Sequence, residues 1–213
     1  MSEKIFEEAF DAIVKGDADR ATDVAKKGLD AGLDPIELMD KGFIPGINKV
    51  GDLFETGRLF LPALIYSATA MEKATGILNA AISTEKELVA AKVLVGTVEG
   101  DVHDIGKTIV VSLFKANGFN VMDLGRDVPI DRFIDEAEKF GADVIGTSTL
   151  LTTTMVVQKE LEQELKKAGI REKYKTIVGG APVTQRWADR IGADAYAQDA
   201  SDGVRKVKAL LGK

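Results

Sequence analysis

The residues best placed to do chemistry lie in one short loop, Asp101-Val102-His103-Asp104-Ile105-Gly106. It holds the only histidine of the chain, set between two aspartates just after an apolar, β-branched run that stops at Gly100. An imidazole beside a carboxylate serves as a general base, a nucleophile's partner or a metal ligand, with the carboxylate fixing which nitrogen carries the proton. A phosphate-binding loop fails on count. Five residues, Asp101 to Ile105, separate Gly100 from Gly106, where the Gly-Lys-Thr motif needs four. It also fails on charge, because Asp101 and Asp104 would face phosphate oxygens. Serine-type catalysis lacks a G-x-S-x-G elbow. A site built from several protein ligands lacks a second histidine, and the chain has no cysteine. Two readings stand on the residues alone. One is an ordinary surface or core histidine. The other is a single imidazole bond to a metal whose remaining ligands come from elsewhere, as in a macrocyclic cofactor.

The elements that must position this loop divide near residue 90. Before it, the periodicity is helical. "EKIFEEAFDAIVKG" places Ile5, Phe6, Ala9, Phe10 and Ile13 on one face. "DADRATDVAKKGLDAG" is capped by Asp17 and ends at Gly28 or Gly32. A third helix starts at Asp34-Pro35 and bends around Pro45-Gly46, and a fourth carries Pro62 in its first turn. These predict a four-helix bundle over 1–88. After a polar hinge, "STEKELVAA", short apolar runs alternate with helical segments near 105–117, 130–140, 153–168, 183–191 and 200–211. The runs are "KVLVGTV", "FNVMDLG", "DVIGTST", "YKTIVGG" and "ADAYAQ". This alternation predicts a doubly wound α/β domain over 89–213, with a parallel sheet of five strands. Ligands of such domains sit beyond the carboxyl ends of the strands, where the first strand delivers His103.

Composition excludes several classes. A net charge of −6 and no basic block longer than two lysines argue against a nucleic-acid surface. No apolar run nears the roughly 20 residues of a membrane-spanning helix. The acidic, amphipathic start is unlike a signal peptide, and the lack of cysteine fits the cytoplasm.

Taken together, these residues resemble the cobalamin-binding proteins that hold the cofactor with its own base displaced, whose signature is D-x-H-x-x-G. The likeness continues through "GTSTLLTTTM", "VGGAP" and "YAQDASDGV", and through "VGDLFETGRLFLPALIYSATAM" in the helical half. The last stretch resembles the capping bundle of methionine synthase and of the corrinoid proteins of methylotrophic systems. "LGRDVP", "LLTTTM" and "GGAPVTQRWADRIGADAY" look most like the methylamine type, trimethylamine in particular.

The resemblance implies roles, residue by residue. His103 would be the lower axial ligand of cobalt, base-off and His-on, with Asp101 hydrogen-bonded to its far nitrogen. Thr154 stands where methionine synthase completes that relay with serine. The loop Gly100, Asp101, Val102, His103, Asp104, Ile105 and Gly106 would lie against the cofactor. Ser148 and Leu150 belong to the family's S-x-L segment and would bind the cofactor; Ser148 and Thr152 would line the slot for the nucleotide tail, Gly179 and Gly180 would lie along it, and Ala200 near its end. Phe54 and Leu61 would cover the upper corrin face. The implied function is a methyl carrier of methylamine metabolism and methanogenesis, non-catalytic on its own, cycling between Co(I) and methyl-Co(III). The implied partners are a methylamine-specific methyltransferase, a second methyltransferase that uses a thiol cofactor or tetrahydrofolate, and a reductive activase. A cobalamin-dependent regulator would need a nucleic-acid or signalling domain. A subunit of an adenosylcobalamin isomerase usually lacks the helical motif of residues 50–62.

Overall fold

The computed structural model describes residues 2–81 and 91–212. The expected domain boundary at residue 88 and most of the hinge segment lie outside these residues. The chain forms two compact units. One comprises the N-terminal helices with Ser112–Phe119, the other Ala91–Val111 and Asn120 onward.

In the first unit, α1 (Ser2–Val14) buries Ile5, Ala9 and Ile13 of the predicted face together with Ala12, while Phe6 and Phe10 are only half-buried. Helix α2 (Ala18–Asp30) starts at Asp17, whose carboxylate accepts the Arg20 N–H, and terminates before Gly32 in a left-handed conformation. Gly28 is instead a packing residue inside this helix. A β-carbon there would stand 2.3 Å from Leu38 Cδ2. The third helix is bent slightly earlier than Pro45 indicates. It runs as α3 (Pro35–Leu38), a π-turn (Met39–Phe43) and α4 (Ile44–Glu55). The widened turn lies directly ahead of Pro45, which supplies no backbone N–H. Gly42 and Gly46 face α1 so closely that a β-carbon would meet Ala9 Cβ at 2.8 Å and the Phe10 carbonyl at 2.9 Å. Helix α5 (Leu61–Ala81) carries Pro62 in its first turn and buries Leu64, Ala68, Met71 and Leu78. Among the described residues, no helix is long and apolar enough to cross a membrane.

The second unit is the expected parallel sheet. Its strands are β1 (Lys92–Thr97), β2 (Asn120–Asp123), β3 (Val144–Ser148), β4 (Lys175–Gly179) and β5 (Ala195–Ala197), in the order 2-1-3-4-5. The central strands β1, β3 and β4 are buried nearly throughout, which explains their continuous Val/Ile/Leu runs. With the right-handed crossovers general to parallel sheets, the order 2-1-3-4-5 places α7 (Ile130–Phe140), α8 (Met155–Lys167) and α9 (Gln185–Ile191) on one face. The first turns of α6 (Ile105–Ala116) lie on the other, with α10 (Ala200–Leu210). Phe133, Leu161, Leu165 and Tyr174 pack with Leu94 and Ile145 of the sheet to form one hydrophobic core of this unit.

Register sets the working edge. Thr97 pairs with Ser148, Ser148 with Gly179, and Gly179 with Ala197, so four strand ends stand in one row. The strand order reverses between β1 and β3, the switch point at which such sheets bind ligands. The opposite edge is structural. There Arg171 is buried and donates to Glu162, Asp194, the Thr176 hydroxyl and the carbonyls of Tyr174 and Gly192. Substituting Arg171→Met leaves two carboxylates without their cation, and is expected to cost roughly 3–5 kcal/mol in urea unfolding while sparing ligand binding at the far edge.

Candidate functional site

Strand β1 ends at Thr97, and the chain turns through Gly100, whose φ of 79° is open to glycine at little cost. Two interactions brace this turn. The Gly100 N–H donates to Asp127 Oδ1 at 2.8 Å, and the Asp127 N–H donates to the Asp101 carbonyl at 2.9 Å. Asp127 itself adopts a left-handed φ of 53°, a region aspartate tolerates better than most residues. The buried Thr97 hydroxyl donates to the His103 carbonyl at 3.0 Å. Farther along, buried Lys107 grips both oxygens of Asp123 at 2.5 and 2.6 Å, tying the first turn of α6 to the end of β2.

Asp101 is completely buried, and its two oxygens have separate tasks. Oδ1 accepts the His103 backbone N–H at 3.0 Å and lies 2.8 Å from His103 Nδ1. A carboxylate only accepts, so Nδ1 carries a proton, and in the neutral ring Nε2 keeps its lone pair. Oδ2 faces the loop after β3. It accepts the N–H groups of Leu150 at 2.7 Å and Leu151 at 3.3 Å, and has the hydroxyls of Thr149 and Thr154 each at 3.1 Å. Burial pushes this carboxyl up, but the donors from His103, Leu150 and Thr149 overcome it and hold Asp101 well below the usual carboxylate range. The imidazole is 47% exposed, so Nε2 is open to a ligand above the edge.

The surroundings suit a flat, largely apolar ligand. Val102, Ile105, Leu150, Leu151 and Val156 are all exposed on the two loops around His103 and at the start of α8. Single exposed apolar residues are ordinary, but five in two adjoining segments mark a binding surface. Among the described residues, no group of three or more histidines, aspartates and glutamates could hold a metal ion. A metal coordinated here by Nε2 therefore has to bring most of its own ligands. That matches a corrinoid, which arrives with four equatorial nitrogens.

The structure assembles some of the sequence-predicted residues and leaves others apart. Gly100, Asp101, His103, Leu150 and Thr154 form one hydrogen-bonded cluster, with Ser148 at its base. Thr154 occupies the N-cap position of α8 but makes no capping bond. Its hydroxyl is turned to Asp101 instead. Asp104 and Gly106 flank the start of α6, and Thr152 is exposed on the β3 loop. Gly179 ends β4 in the row of strand ends. Gly180 has a φ of 122°, and a β-carbon there would stand 1.8 Å from the Thr149 carbonyl, so it is required for the close approach of two loops. Ala200 begins α10, behind Asp199 as its cap. In the helical unit, Phe54 is in the last turn of α4 and Leu61 in the first of α5, both half-buried, beside the exposed Phe60.

Sequence reasoning missed Thr149, Asp127 and Thr97. Thr149 is within the recognised "GTSTLL" stretch, and a buried hydroxyl just past a strand that ends at the site is the signal that could have found it. Asp127 acts from 27 residues downstream, on a partner that no local pattern names, and Thr97 acts on the His103 carbonyl six residues on.

Asp101→Asn removes an acceptor that buried donors require, with an expected loss of about 1–3 kcal/mol at neutral pH. Because folding lowers the carboxyl's pKa, the stability it contributes is present above the unfolded value, about 3.9, and is lost as pH falls toward the folded one. The difference between wild type and Asp101→Asn in urea midpoints should therefore persist down to about pH 4 and narrow below it.

Comparison with known proteins agrees with this geometry. A B12 binding domain model matches residues 91–207, and a second B12 binding domain model matches residues 5–79. Trimethylamine corrinoid protein 1 of Methanosarcina acetivorans is 48% identical over 211 residues, covering 98% of each chain. Dimethylamine corrinoid protein 2 of the same organism is 47% identical over 98% of this chain and 97% of its own. Among solved structures, the methanol:cobalamin methyltransferase complex MtaBC of Methanosarcina barkeri superposes with a TM-score of 0.85 at 32% identity, over 98% of this chain and 80% of that one. The monomethylamine corrinoid protein of Methanosarcina barkeri gives 0.55 at 34% identity, over 99% and 100%. Full-length likeness at this level, joined to a buried aspartate bonded to a half-exposed histidine at the switch point, establishes that the chain belongs to the B12-binding methylamine corrinoid proteins.

Proposed function

We propose that this protein is a corrinoid methyl carrier in which His103 Nε2 would ligate the cobalt. The observation that carries the reading is the Asp101–His103 bond at 2.8 Å, which uses Nδ1 and leaves Nε2 free at the exposed edge. Bound there, a corrinoid would supply a metal centre that takes a methyl group from a methylated amine and passes it to an acceptor.

The chain's own residues have simpler tasks. Asp101 keeps the imidazole in one tautomer and orientation, which raises its basicity as a ligand. Val102, Ile105 and Leu150 offer apolar surface to the corrin edge, while Ser148 and Thr152 line the way to Gly179, Gly180 and Ala200 for the nucleotide tail. Phe54 and Leu61 of the helical unit would shield the bound cofactor from water and oxidants, which consume a reactive metal centre.

A substrate-specific methyltransferase presents the methylated amine, with trimethylamine the first choice and dimethylamine next. A second methyltransferase removes the methyl group to a thiol cofactor or tetrahydrofolate. A reductive activase restores the centre when it is lost to oxidation. This division fits a chain whose one imidazole is committed to ligation.

The test is electron paramagnetic resonance of the protein reconstituted with cobalamin as Co(II), the cofactor's benzimidazole labelled with 15N. Splitting from an unlabelled nitrogen, abolished in His103→Ala, is the expected result. Splitting from the labelled base would remove His103 from the cobalt and overturn the proposal.

A further inference from the structure

Thr149 has no role in the reading so far, yet it is buried at 1% exposure against the same carboxylate that orients His103. Its hydroxyl is 3.1 Å from Asp101 Oδ2, as is that of Thr154, and the two hydroxyls lie 2.6 Å apart. Each hydroxyl owns one proton. At 2.6 Å one of them donates to the other, and that proton is then not available to Asp101. Asp101 therefore receives one hydroxyl proton at a time, and the equal distances let either threonine deliver it. The Leu151 carbonyl, 3.2 Å from Thr149 and 3.0 Å from Thr154, is the acceptor to which a released hydroxyl turns. Gly180 holds this arrangement from behind by its contact with the Thr149 backbone.

We infer that Thr149 is a positioning residue, which with Thr154 forms an interchangeable hydroxyl pair acting on His103 through Asp101. The inference rests on the reading of His103 as the cobalt ligand. It assigns the relay two hydroxyl ends in place of one. With either threonine gone, the other donates directly to Oδ2. With both gone, Oδ2 keeps its backbone donors but loses the hydroxyl share of its charge, and Oδ1 pulls harder on the Nδ1 proton.

The single histidine makes this measurable without cofactor, since protein labelled with 15N-histidine gives one imidazole spin system. At a fixed pH where the ring is neutral, Thr149→Val and Thr154→Val should each leave the His103 Nδ1–H proton at its wild-type shift. The double variant should move it downfield, and Thr149→Ser combined with Thr154→Val should restore the wild-type position. If the two valines crowd the site and prevent folding, the double alanine variant supplies the same readout. A full shift from either single variant, or none from the double, overturns the pair. The outcome is independent of the cobalt experiment, because one reads the apo-protein imidazole and the other reads ligation. Loss of splitting from His103 with the hydroxyl pair intact would sink the cofactor reading alone.

Discussion

A carboxylate withdrawn entirely from water is tolerated only when donors surround it, and Asp101 is such a carboxylate. Its partners come from three places: the turn after β1, the loop after β3 and the start of α8. Meeting its own electrostatic need, Asp101 pins together the two loops that flank the switch point. The same bonds fix the imidazole. Stability of the edge and orientation of the ligand are therefore one interaction, and neither can be altered alone. Supporting residues extend outward from it. Asp127 braces the Gly100 turn, Thr97 holds the His103 carbonyl, and Gly180 lets the β4 loop close against Thr149.

The two edges of the sheet show how a parallel fold separates these demands. At the amino ends of β4 and β5, the network pairs Arg171 with Glu162 and Asp194 and leaves Arg171 and Glu162 almost no exposed surface. At the carboxyl ends, the Asp101 network is equally dense beneath the surface but stops one atom short, at Nε2. Charge is buried at both edges, and at the carboxyl one the network ends on a half-exposed imidazole.

Much of this was legible in the sequence because the relevant signals are local. Apolar runs bounded by glycine marked all five strands, and Asp17, Pro35 and Pro62 marked helix starts correctly. Local signals failed where packing decides. Gly28 reads as a helix end but is a contact with Leu38, and the bend near Pro45 is taken up by a π-turn one step earlier. In the site, Asp101 and His103 were plain from spacing and Thr154 from resemblance. Thr149 was hidden, because its value arises only when the loop after β3 folds back over a carboxylate 48 residues earlier in the chain.

The spacing of aspartate and histidine has its own explanation in backbone geometry. An aspartate oxygen accepting the N–H two residues on is an Asx turn, a conformation the chain adopts readily. Asp101 Oδ1 does this with His103, and the turn brings the near ring nitrogen, Nδ1, to the same oxygen. Nε2, on the far side of the ring, then takes no part in that bond. One intervening residue thus sets which nitrogen is held and which is free. A glutamate in place of Asp101 would carry the oxygen past the backbone N–H, and a second intervening residue would break the turn. Orientation of the ligand is written into three consecutive residues, while the loops that donate to Asp101 Oδ2 hold it in place.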